Sequence, residues 1–217
     1  MAANTRPYLK IPVTLYTYPA QGVFKRHWER MARASFYLAT LLRQLTSPEN
    51  AAQVEKALDD ATNDLMDRIK QEKERLQKMR EDVGASGEPQ YTAPLETSAD
   101  ISSPRAGRLL AVMQQLDYLM VELDALWLHE AITDGPYNQQ QRQWERQVTR
   151  LAGRIQSATG HAINAAKRNE RTDLVKDISE SDANEAQEAD ANDQAGQNGS
   201  GSPSAEPAPA AAAAGTG

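Results

Sequence analysis

Apolar and polar residues alternate with a two-residue period most clearly in one stretch, YLKIPVTLYTYPAQG (residues 8–22). There Ile11, Val13, Leu15 and Thr17 fall on one face, and Lys10, Pro12, Thr14, Tyr16 and Tyr18 on the other. Pro12 cannot donate a ladder hydrogen bond, which confines it to an edge or to the start of a strand. The pattern therefore predicts a strand over about 13–18, ended by Pro19. From near Ala20 the period becomes helical. Phe24, Trp28, Met31, Leu38, Leu42 and Leu45 recur at helical spacing, with Ser35 interrupting the stripe.

Ser47-Pro48 and Ser103-Pro104 each pair an N-cap residue with a proline suited to the first helical position. They open a second helix, from 48 to about 83, and a third, from 104 to about 132. The second carries a heptad-like stripe (Val54, Leu58, Ala61, Leu65, Ile69, Leu76, Met79, Val83), with polar Glu72 at one seam position, among dense, mostly opposed charges. At ~1.5 Å per residue it reaches roughly 50 Å, so its distal half is expected to project as an arm or to meet another chain. A loop rich in Gly, Ser, Pro and Thr is expected over 84–103. The third helix is the most apolar and belongs at the centre of the fold. TDGP (133–136) is expected to end it. A fourth helix over about 137–168 has a thinner stripe through Trp144, Val148, Leu151, Ile155 and Ile163. The predicted fold class is mainly α: one short strand, about four helices, two of them long, and a disordered tail.

Composition divides the chain in two. Residues 1–172 suit one helical domain. Residues 173–217 lack aromatic residues, are acidic and then rich in Gly, Ser, Pro and Ala, and cannot bury enough apolar surface to offset the entropy of ordering. The net charge of −6 hides an asymmetry. Residues 1–48 hold seven Lys or Arg against Glu29 alone, and residues 173–217 hold nine acids against Lys176. A basic head of this kind suits a polyanion, although a solvated surface with an uneven charge distribution has the same composition. With no cysteine, disulfides, thiolate metal sites and a cysteine nucleophile are excluded. No apolar run is long enough to span a membrane, and the first residues show no hydrophobic signal core, so a cytoplasmic protein is expected.

No constellation of catalytic residues emerges. His27, His129 and His161 are far apart, and LHEAITD has Thr133 where a zinc motif of the HExxH type needs its second histidine. Asp117 and Asp124 are seven apart on one helical face, a spacing suited to a solvated edge or to a partner for the Arg-rich fourth helix. Trp28, Phe36, Trp127 and Trp144 read as core. The expectation is a protein that is not an enzyme and needs no cofactor, metal or small-molecule ligand.

A lone strand must pair with something. Pairing with its own copy would give an antiparallel ribbon across a two-fold axis, hence a homodimer. Such a ribbon fits the major groove of double-stranded DNA. Arg6, Lys10, Thr14 and Tyr16 would then face bases or phosphates, while Lys25, Arg26 and Arg30 on the first helix would clamp the backbone. Strand, helix, helix over about 9–83 is the order of ribbon-helix-helix regulators. VTLYTYPAQGVF (13–24) and SSPRAGRLLAVMQQLDYLMVELDAL (102–126) also resemble the AcaB-like family of integrating conjugative elements and conjugative plasmids. The matching positions are Val13, Thr14, Leu15, Thr17, Ala20 and Gln21, then Ser102, Pro104, Leu109, Leu110, Asp117 and Leu119, within a likeness spanning roughly 9–168. Tyr18 departs from it, standing where a basic residue is expected. The resemblance implies a transcriptional regulator of transfer genes with a ribbon-helix-helix-like DNA-binding unit. The alternative is a helical interaction protein of the conjugation or DNA-processing machinery, its strand adding to a partner's sheet.

Overall fold

The computed structural model describes residues 7–45 and 47–168. Arg6 and the acidic tail at 173–217 lie outside the described residues. Strand β1 (Leu9–Leu15) leads into helix α1 (Tyr18–Leu45), followed by α2 (Pro48–Asp82), strand β2 (Leu95–Ile101), α3 (Pro104–Leu128) and α4 (Asp134–Arg168). The chain is mainly helical, with four helices, as the periodicity predicts.

The strand begins and ends earlier than 13–18, and its partner lies in the same chain. β1 pairs antiparallel with β2, with Lys10 opposite Asp100, Ile11 opposite Ala99, Val13 opposite Thr97 and Thr14 opposite Glu96. This corrects the expected pairing across a dimer, and it takes 95–101 out of the expected loop, which holds over 84–94. LETSADI does alternate, with Leu95, Thr97, Ala99 and Ile101 on one side. Its Ala, Ser, Glu and Asp are poor strand formers, however, so the composition reads as loop. Pairing with β1 supplies what propensity lacks. Val13, Leu15 and Ala99 are buried, and Ile11 is half-buried beside them.

Tyr18 and Pro19 belong to the first turn of α1, not to the strand. Proline is tolerated there because the first-turn N–H groups have no intrahelical acceptor. The two Ser-Pro starts form as expected. The Ser47 hydroxyl accepts from the Asn50 amide at 3.3 Å, and the Ser103 hydroxyl from the Ala106 amide at 3.2 Å. α3 stops at Leu128, where Glu130 adopts a left-handed φ of 57° and the Ala131 amide turns back to the Leu126 carbonyl. TDGP thus opens α4 instead of closing α3, with Asp134 in the positive first turn.

α3 is buried on nearly every side and packs against α1 and α2, while α4 covers α1. α2 does not project. Ile69 and Leu76, in its distal half, are fully buried, and three side chains tie that half to α3. Lys73 donates to Gln115 at 3.3 Å, Gln77 to Glu122 at 3.0 Å and Arg80 to Glu122 at 3.1 Å. Arg80 also reaches the carbonyls of Ala85 and Gly87, anchoring the loop that follows. α3, the most apolar helix, offers α2 a surface along its length, with Gln115 and Glu122 as polar anchors, which removes the reason for an arm.

Candidate nucleic-acid interface

The polar residues of the two sequence blocks meet in the structure. The Asp117 carboxylate, from the middle of α3, accepts from the Tyr16 amide at 2.9 Å, the Thr17 amide at 2.8 Å and the Thr17 hydroxyl at 2.7 Å. It caps α1 from outside, at the end where a negative charge is favoured. Gln21 donates through its side-chain amide to the carbonyls of Leu15, Tyr16 and Ala93, so the strand end and the β2 approach share one anchor. Burial raises the Asp117 carboxyl above the ordinary value of 3.8, against the opposing pull of these hydrogen bonds.

Asp124 sits two turns along α3 and accepts from the Tyr91 hydroxyl at 2.8 Å, the Tyr137 hydroxyl at 2.7 Å and the Gln141 amide at 3.4 Å. Its carboxyl is also raised by burial, and both phenols are raised, first by burial and then by Asp124 itself. The two aspartates are therefore neither a solvated edge nor partners of the arginines of α4. They tie turns and loops to the central helix. Among the described residues no group of three or more His, Asp or Glu side chains is placed to hold a metal ion. Nor is any helix long and apolar enough to cross a membrane.

The residues expected to touch DNA separate into two places. Lys10 and Thr14 lie on the exposed face of the ribbon, where Asp100 and Glu96 stand opposite them, so that face carries one cation against two carboxylates. Tyr16 has left the strand, and its ring meets Tyr91 at a centroid distance of 5.8 Å. On α1, Lys25 is exposed. Arg26 pairs with Glu145 of α4 at 3.4 Å, and the Arg30 guanidinium donates to the Arg26 carbonyl at 2.8 Å. Arg6 is not described.

A stronger basic surface lies on α4. Trp144, Val148, Leu151 and Ile155 turn one stripe of this helix inward. Beside the stripe Arg142, Arg146, Arg150 and Arg154 repeat every four residues, about 6 Å apart along the axis. All four are exposed, and none forms an ion pair among the described residues. Between α4 and α2 runs an open cleft of about 510 Å³. Arg68, Arg146, Arg150 and Arg154 line it, against Asp64 as its one acid. Asp64 is engaged by Arg68 at 3.1 Å. Sequence reasoning missed the row, although its signal was present: four arginines at i, i+4 spacing without an acid at the matching positions.

No protein-family model matches the chain, and no curated protein matches it in sequence. A solved structure does: the crystal structure of selenomethionine-containing AcaB from uropathogenic E. coli. It superposes with a TM-score of 0.76 at 26% identity, over 85% of this chain and the whole of that one. The chain is therefore similar to AcaB in fold, with about a quarter of the aligned positions identical.

Proposed function

We propose that this protein is a DNA-binding regulator of a conjugative mobile element, without catalytic activity, which grips the phosphate backbone of double-stranded DNA through the arginine row of α4. The observation that carries the reading is that row: four exposed arginines one turn apart, unpaired among the described residues, three of which (Arg146, Arg150 and Arg154) share a cleft with Arg68. Like charges at i, i+4 spacing repel and cost the isolated helix a few tenths of a kcal/mol per pair. A polyanion turns that cost into binding, because each neutralised phosphate releases counterions. Arginine suits the task, since its planar fork meets phosphate oxygens in pairs. The regulatory role rests on the likeness to the AcaB-like family. Lys25, Arg26 and Arg30 supply further backbone contacts, and Lys10 and Thr14 a minor share, since Asp100 and Glu96 offset the charge of the ribbon.

Gel-shift titration against duplexes from the promoters of neighbouring genes tests the reading. Arg146→Gln with Arg150→Gln is expected to weaken binding about tenfold or more, and Lys10→Ala with Arg26→Ala to weaken it less. A reversed order would move the interface to the N-terminal face. Absence of any shift with the parent chain would remove the DNA reading.

A second reading, a helical interaction protein of the conjugation machinery, is favoured by a different feature. The sheet has two strands, so each keeps one outer edge that a partner's strand can extend. Partners retained on the immobilised protein after nuclease treatment would support it over DNA binding.

A further inference from the structure

We propose that the α2–α4 cleft is also the docking surface for the chain's own acidic segment, residues 173–193, which lies back along α4 over the arginine row. The docking stands on charge and reach. Its consequence, competition with DNA for the same arginines, rests on the DNA reading above.

The charges are complementary. Residues 173–193 hold eight acids and Lys176 as the one cation, whereas the cleft presents four arginines and Asp64. Between Ser179 and Asp193 no large apolar residue intervenes, so this stretch offers carboxylates and small side chains alone. Position favours the same pairing. α4 ends at Arg168, next to the segment. Arg154 lies about 21 Å back along the helix axis and Arg142 about 39 Å back. An extended chain advances about 3.3 Å per residue, so about seven residues return to the level of Arg154 and about twelve to that of Arg142. Asp177 and Glu180 thus come level with the row, and the acids beyond them have length to spare. The covalent link holds these carboxylates near the cleft at an effective concentration of roughly millimolar order.

The absence of cysteine makes the test direct, because one introduced cysteine takes a spin label without competition. In the full-length chain, a label on Ser181→Cys is expected to broaden the backbone amide resonances of residues 143–154. The broadening should vanish in Arg146→Gln/Arg150→Gln/Arg154→Gln and in about 0.5 M salt. In parallel, a full-length variant with Asp177, Asp182, Asp190 and Asp193 changed to Asn, and Glu180, Glu185 and Glu188 to Gln, is expected to bind a random-sequence duplex about tenfold more tightly. Broadening centred on Lys25, Arg26 and Arg30 instead would overturn the docking site, as would no broadening with unchanged duplex affinity. Broadening at 143–154 in a protein that binds no duplex, with or without the acids, would leave the docking in place and remove the DNA reading.

Discussion

Asp117 ties the junction between β1 and α1 to the central helix. It satisfies two backbone amides and one hydroxyl about a hundred positions away in sequence, and is itself 1% exposed. Asp117→Ala strands those donors and is expected to lower stability by about 3 kcal/mol in urea unfolding; a loss under about 1 kcal/mol would show that the junction is held elsewhere. The raised carboxyls of Asp117 and Asp124 have a pH consequence. Because each binds its proton more tightly in the folded chain than in the unfolded one, stability falls as pH rises from about 3.8 through the folded values. Unfolding midpoints compared near pH 4 and near pH 7 should show a shallower fall for Asp124→Asn than for the parent. Ser35 offers a change of opposite sign. Its hydroxyl is buried on α1 and makes no hydrogen bond among the described residues, so Ser35→Ala should stabilise the chain by about 1 kcal/mol.

At the scale of elements, β1 explains its own presence. Alone it would leave both ladder edges unpaired; β2 satisfies one of them, and the inward face packs on the helices, so Val13 and Leu15 become part of the main core. Removing residues 1–15 is therefore expected to lower the urea midpoint and leave β2 without a partner. A truncated chain as stable as the full one would contradict this. The helices were legible in the sequence because their stripes are long and their Ser-Pro starts are local chemistry. The inward face of β1 was legible too, from Ile11, Val13 and Leu15. β2 was not, because Ala99 and Asp100 carry no strand signal of their own and pairing is decided some 85 positions away. The packing of the distal half of α2 was hidden for a similar reason: Glu122, which holds Gln77 and Arg80, belongs to another helix. Asp117 was singled out by the sequence, but its role as a cap for α1 depends on how the two helices cross.

The whole molecule separates architecture from recognition. The conspicuous motif residues, Thr17, Gln21 and Asp117, hold the ribbon to the central helix, while the charge available to a partner lies on the far flank of α4 and on part of α1. A fold built this way can change its surface without disturbing its core, because the arginines of the row share none of the buried hydrogen bonds. Their substitution is accordingly expected to leave the unfolding midpoint within about 0.5 kcal/mol of the parent while altering binding. The central claim is that those arginines meet phosphates, and the salt dependence of duplex binding tests it most directly. Each phosphate contact contributes about 0.9 to the slope of log affinity against log salt. For Arg146→Gln/Arg150→Gln/Arg154→Gln the slope should be shallower than the parent's by about 2.7. An unchanged slope, in a variant that still folds, would contradict the account.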